Sequence, residues 1–390
     1  MMSWVFSSLT RRIQKIALLV GVAGFAISFI GAYFQGQEFF LSYLFAYLFW
    51  IGISLGGMVI VMIHHLTGGA WGVLICRPLE AAARALPLMT VLFVPLIFGL
   101  SDLYAWARPE MIADEPLLGE KSSYLNISSF LIRAAGYFVV WIGIAYWLHK
   151  WSIEQERNPQ PKVAIRLYRL SIGGIILYSL SITFAATDWI MSLVPQWHST
   201  VFGLLWGVGQ MLSALAFAIL MAAAFYRPCS LSKEIVFNRF HDLGNLLLML
   251  VMLWAYLAFM QYLIIWSGNL PHEISWYLPR VQGSWQELTV MLIAFHFLVP
   301  LIVLLFRYAK RTISILGTIA MIVLLAHLID SFWLVVPSLR TQELQLYWTD
   351  FMAPLGIGGV WLAAVLWQFQ KRPFILVRDA NIKETWRHGK

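Results

Sequence analysis

Charge and cysteine are both scarce in this chain, and each scarcity removes a class of protein. Only 12% of the 390 residues are charged, against 60% hydrophobic and 15% aromatic, and the mean hydropathy is +0.75. So much apolar surface cannot be enclosed in a water-soluble domain, which leaves a polytopic membrane protein. The two cysteines, Cys76 and Cys229, stand far apart with no CxxC or CxxCH pattern. A cysteine-ligated iron–sulfur cluster and a covalent c-type haem are therefore excluded. Acidic residues are outnumbered, 19 to 27, giving a net charge of +8. That excess is dispersed between apolar runs and builds no basic face, so no nucleic-acid partner is expected; lipid is. A small-residue cleavage site is missing after Arg11, Arg12 and Lys15, so the first apolar run is read as a retained helix.

What the sequence has in abundance is long apolar runs. A membrane-crossing helix needs roughly 20 apolar residues, and ten runs qualify: roughly 14–34, 40–64, 85–104, 126–148, 167–189, 200–225, 242–266, 286–306, 313–336 and 350–370. They are numbered spans 1 to 10. Connections are short, so residues 1–390 form one all-α integral membrane domain with repeat-like halves at about 40–190 and 200–336 and a tail at 371–390. Of the 27 lysines and arginines, only Arg108, Lys121, Arg280 and Arg340 fall on the odd-to-even side of the topology, and Arg133 lies within span 4. This bias puts both termini in the cytoplasm of a multi-pass bacterial inner-membrane protein. Tryptophans at span ends, among them Trp106, Trp189, Trp197, Trp276 and Trp348, are read as interfacial anchors. The outer loop 106–125, with Glu110, Asp114, Glu115 and Glu120, is read as solvated.

An ionisable side chain inside a span costs roughly 2.5–3.5 kcal/mol on insertion scales, so each one asks for a reason. Asp102, Asp188, Glu287, Asp330 and Asp350 all fall near outer span ends, where the plainest reading is a solvated helix end; Asp350 in the first turn of span 10 also suits the helix dipole. His327 and Asp330, three apart, share one face of span 9. His296 on span 8 and His327 both lie roughly 15 Å below the outer surface at 1.5 Å per residue. Two readings fit the trio: a proton relay between imidazoles and a carboxylate, or histidines that only bind neighbouring helices. Facing histidines also suit a b-type haem, but no span carries the second histidine of a two-haem stack. No cofactor and no metal is expected in this chain. On the inner side, His64 and His65 end span 2 and Asp242 opens span 7; consecutive histidines cannot chelate together, and all three suit either structure or the inner mouth of a proton path. Tyr256 and Gln261 on span 7 are read as a polar stripe turned toward other helices, before Gly268 and Asn269 turn the chain and Pro271 stops it.

The run DLGNLLLMLVMLWAYLAFMQYLIIWSGNLPHEISWYL (Asp242 to Leu278) closely resembles the F-subunit family (ActF) of bacterial alternative complex III. YLFAYLFWIGISLGGMVIVMIHHLTGGAWG (Tyr43 to Gly72), DWIMSLVPQWHSTVFG (Asp188 to Gly203) and AFHFLVPLIVLLFR (Ala294 to Arg307) support the resemblance, which covers nearly the full chain. That family is similar to the polysulfide-reductase-like (NrfD) integral subunits, which implies two four-helix bundles, spans 2–5 and 6–9, with a flanking helix at each end. It also implies a membrane subunit of a respiratory or photosynthetic quinol:cytochrome c (or other acceptor) oxidoreductase that anchors extracytoplasmic redox subunits and conducts protons. The implied partners are a pentahaem cytochrome, an iron–sulfur protein, a paralogous quinol-binding C subunit and small subunits. Haem c and iron–sulfur clusters then sit in those partners, and menaquinone or ubiquinone in the complex. In one place the chain departs from the family: Val194 stands where the SL(E/D)PHW segment carries an acid, so an outer proton path leans on Asp188, His198 or the span 8 and 9 cluster. Two alternatives stay open: a subunit that itself oxidises quinol with His327 and Asp330, and a secondary transporter. The second is weakened because Pro87 and Pro95 in span 3 have no counterparts in span 7.

Overall fold

A computed structural model describes residues 2–34, 36–225 and 233–370; the tail 371–390 and Cys229 lie outside the described residues, as does the side chain of Asp114. All secondary structure among them is helical. The long helices are α1 (Met2–Phe34), α2 (Gly36–Thr67), α3 (Cys76–Ala83), α4 (Leu86–Phe98), α5 (Ile127–Arg157), α6 (Pro161–Trp189), α7 (Phe202–Phe225), α8 (Lys233–Gly268), α9 (Gly283–Leu305), α10 (Ile313–Val335) and α11 (Trp348–Phe369). Nine of these are individually long and apolar enough to cross a membrane, and the bent pair α3–α4 makes up to ten.

Span 3 is where the structure departs from a straight 85–104 helix. Its apolar part is the 13-residue α4, preceded by α3 at 41° and followed, after Gly99, by the single turn Leu100–Leu103. Thirteen residues cover only about 20 Å, too short for the hydrocarbon core alone. Prolines explain the break: Pro87 begins α4 and Pro95 interrupts its hydrogen-bond ladder.

The core is organised around α2, almost every residue of which is buried. It contacts α4 and α6 on one side and α7, α10 and α11 on another. A second set of contacts joins α7, α8, α9 and α10. α2 approaches α7 so closely that a β-carbon on Gly56 would lie 2.0 Å from the carbonyl oxygen of Gln210. The first and last helices pack on each other along small residues: a β-carbon on Gly359 would meet Gly21, and one on Gly24 would meet Gly356, each under 3 Å. Helices that gain no hydrophobic drive from lipid associate through such close backbone contact.

α8 spans 36 residues, roughly 54 Å, and so overruns a bilayer at its start. Asp242 is consequently ten residues into the helix, not in its first turn, and the helix-dipole reading for it fails. At the other end Asn269 adopts φ 47°, the left-handed conformation that closes a helix, and Pro271 opens a new turn, as the sequence leads one to expect.

Candidate functional site

Three carboxylates are buried near the end of the molecule that carries the 104–126 loop, and they have different company. Asp188, on α6, is 1% exposed and receives Arg133 as a fork: Nε to Oδ2 and a terminal guanidinium nitrogen to Oδ1, both at 2.9 Å. The Tyr137 hydroxyl adds a third donor at 2.7 Å. Arg133 also lies 3.9 Å above the Tyr124 ring and donates to that residue's carbonyl. Asp350 is held similarly by Arg340 at 2.8 and 3.3 Å, by the Ser42 hydroxyl at 2.5 Å and by the Tyr347 amide at 2.9 Å. It is therefore a buried ion-paired cap and not the solvated helix end its position suggests. A bidentate guanidinium is a permanent cation whose two N–H donors satisfy both carboxylate oxygens at once.

Among the described residues, no guanidinium pairs with Asp330. Asp330 is 4% exposed, and one oxygen faces His327 Nδ1 at 3.5 Å, an ion-pair distance that is long for a hydrogen bond. His296 joins from α9, with its ring centroid 5.6 Å from that of His327. One ligand-type atom from each of the three residues lies within 4.8 Å of the others. The predicted matching of depth and face thus brings His296, His327 and Asp330 into one buried cluster. Asp330 and His327 are five and eight residues before the end of α10 at Val335, about 8 and 12 Å along the axis.

Local backbone explains how His296 reaches the cluster. Residues Ile293–Leu298 form a π-turn within α9, in which the Val299 amide donates to Ala294, five residues back. Pro300, four residues after His296, has no amide to give the His296 carbonyl, so α-helical pairing cannot continue there. The extra residue in the turn re-aims the imidazole, which is the usual consequence of π-bulges at functional positions. Around the cluster, Trp254 of α8 packs on His296 with ring centroids 4.1 Å apart, and Phe49 of α2 lies 6.0 Å from His327. Gly209 of α7 completes the wall: a β-carbon there would sit 2.7 Å from His327 Cε1. Both ring nitrogens of His296 and Nδ1 of His327 are buried without a hydrogen-bond partner. Each such atom costs on the order of 1–3 kcal/mol, so the cluster is held in place by surrounding packing against a local penalty.

The other predicted residues fall elsewhere. Tyr256 is 56% exposed on the outside of α8, whereas Gln261 is 2% exposed and faces inward. Five residues on a helix separate two side chains by about 140°, so these two cannot form one stripe. Gln261 instead fastens loops: it accepts from Ser199 at 3.5 Å and donates to the Tyr277 hydroxyl at 3.3 Å. Burial pushes the Tyr277 phenol up to about 12, keeping that hydroxyl neutral. Glu287 is exposed on α9, and His64 packs against Gly72 and the Trp71 ring, with His65 beside it. Asp242 accepts from Arg239 at 3.2 Å. The acidic loop is not simply solvated, since Leu118 is buried, Lys121 donates to the Pro195 carbonyl at 2.6 Å and Glu115 accepts from Gln196 at 2.7 Å.

Sequence reasoning passed over Arg280. It is fully buried, lies 3.6 Å from the Trp276 ring centroid, and donates to the carbonyls of Trp276, Trp333 and Leu334 and to the Ser338 hydroxyl. It thus caps the end of α10 just beyond Asp330, where a cation suits the helix dipole. The signal was present, because a lone arginine outside the basic loops runs against the charge bias. A second missed signal is a repeat: Asp188 and Asp330 each precede a Val-Pro proline, Pro195 and Pro337, by seven residues. Of these two carboxylates, one is paired with arginine and the other with histidine. No protein-family model matches the chain, and no curated protein matches it either.

Proposed function

We propose that this chain is an integral subunit of a bacterial quinol:acceptor oxidoreductase of the alternative complex III type. In this reading it sits in the cytoplasmic membrane with both termini inside, its helices arranged as two four-helix bundles with α1 and α11 beside them. It anchors the cytochrome and iron–sulfur partners and passes protons through His296, His327 and Asp330, while the paralogous C subunit oxidises menaquinol or ubiquinol. The quoted sequence stretches support the family. The observation that carries the proton role is that Asp330, unlike Asp188 and Asp350, faces imidazoles and, among the described residues, no guanidinium.

Chemically, an imidazole and a carboxylate are both groups that can take up and release a proton, whereas a guanidinium does not give one up. Asp188 is paired with the latter, Arg133. His296, at the same depth with its ring centroid 5.6 Å from that of His327, extends the exchange sideways from α10 to α9 through a ring rotation. Purification of the tagged chain from native membranes tests membership of the complex. A multihaem cytochrome and an iron–sulfur protein should co-purify; recovery of the chain alone from gently solubilised membranes would contradict the reading.

A further inference from the structure

We propose that His296, His327 and Asp330 form a binding site for a divalent transition-metal ion of the Zn²⁺ class. Two imidazoles and one carboxylate, contributed by two helices, are a recurring three-ligand set that leaves a fourth position open. Nitrogen donors select against Mg²⁺ and Ca²⁺, which take oxygen ligands. Tetrahedral Zn²⁺ with bonds of about 2.0–2.1 Å places its ligand atoms roughly 3.3 Å apart. The His327 Nδ1 to Asp330 Oδ2 separation is 3.5 Å already, and all three ligand-type atoms lie within 4.8 Å. Closing that gap takes about 1.5 Å of side-chain rotation, without moving a helix.

The second, independent sign of a ligand is the unpartnered nitrogens. His296 is fully buried with both ring nitrogens free of hydrogen bonds, and His327 Nδ1 is likewise free. A core histidine that merely glues helices together would spend those atoms on a neighbour. A metal ion instead takes one lone pair from each imidazole and turns two local penalties into bonds. Its charge is part-balanced by Asp330, and the Trp254 and Phe49 rings around the imidazoles keep the site dry. The Ser331 hydroxyl donates to the His327 carbonyl at 2.9 Å and steadies the ligand-bearing turn.

Zn²⁺ and a relayed proton compete for the same lone pairs, so a bound ion would block the relay; the binding claim itself requires only the folded chain and is tested without proton transfer. The test uses the full protein purified in detergent, stripped with a chelator, incubated with Zn²⁺ and desalted. One zinc ion per chain is expected. Asp330→Asn and His296→Gln should each weaken retention by roughly tenfold or more, since even changes outside the ligand set cost 10–100-fold. His198→Gln, at an exposed histidine, should leave the one-to-one stoichiometry intact. X-ray absorption at the zinc edge of the unmutated protein needs no variant to fold, and should read two imidazoles and one or two oxygens at about 2.0–2.1 Å. Failure of the parent protein to retain zinc, a shell with fewer than two imidazoles, or equal retention by folded Asp330→Asn and His296→Gln would each overturn the site.

Discussion

Replacing Arg133 by Met isolates the difference between the two kinds of buried carboxylate. The methionine keeps the apolar stem and leaves Asp188, 1% exposed, without its guanidinium while Tyr137 still donates to it. Breaking a buried pair by removing one partner costs about 3–5 kcal/mol, most of it the penalty of the stranded charge. The Arg133 side chain keeps 19% exposure, so water screens part of the effect and the low end, about 3 kcal/mol, is expected. Adding Asp188→Asn removes the stranded charge and should restore roughly 2 kcal/mol of the loss. By contrast Asp330→Asn, which gives up no guanidinium contact, should cost less than about 1 kcal/mol. Thermal unfolding of the detergent-solubilised protein reads all three variants against the parent. The reasoning is refuted if the Arg133→Met, Asp188→Asn double variant is no more stable than Arg133→Met, or if Asp330→Asn destabilises as much as Arg133→Met.

Arg280→Ala removes four hydrogen-bonded contacts and a cation–π stack at once, so a loss of at least about 3 kcal/mol and faster proteolysis within 269–282 are expected, read by melting and by fragment mapping. Gln261→Leu leaves Tyr277 and Ser199 without this partner and should cost about 1–3 kcal/mol, whereas Tyr256→Phe on the exposed face should fall within about 0.5 kcal/mol in the same melting assay. Pro300→Ala supplies the missing amide to His296; if the π-turn relaxes, the imidazole swings by about 100° and zinc retention falls although the protein still folds. Unchanged retention with a retained fold would show that Pro300 does not set the aim of His296.

The spans were legible because membrane helices must be long, apolar and internally hydrogen-bonded, and no soluble element imitates that signal. Span 3 was not, because hydropathy sums residues without weighing what Pro87, Pro95 and Gly99 do to a backbone. His327 and Asp330 were readable from an i,i+3 spacing, and His296 from equal depth. Their burial was not readable, since it depends on Gly209 letting α7 come into contact. Tyr256 and Gln261 were misjudged together because polarity was read along the chain when the angle around the helix decides. Asp350 and Asp188 looked like isolated acids for the opposite reason: their partners, Arg340 and Arg133, are 10 and 55 residues away. Long-range pairing leaves little trace in a single sequence.

Proton release per electron by the proposed complex in sealed vesicles, compared between the parent and Asp330→Asn, tests the central claim most directly. Asparagine keeps the shape of the side chain and removes its exchangeable proton. With the relay in place, quinol-driven electron transfer persists in the variant while proton yield per electron falls. An assembled Asp330→Asn complex with parental electron flux and parental proton yield would contradict it, and would make Asp330 a structural residue at the end of α10.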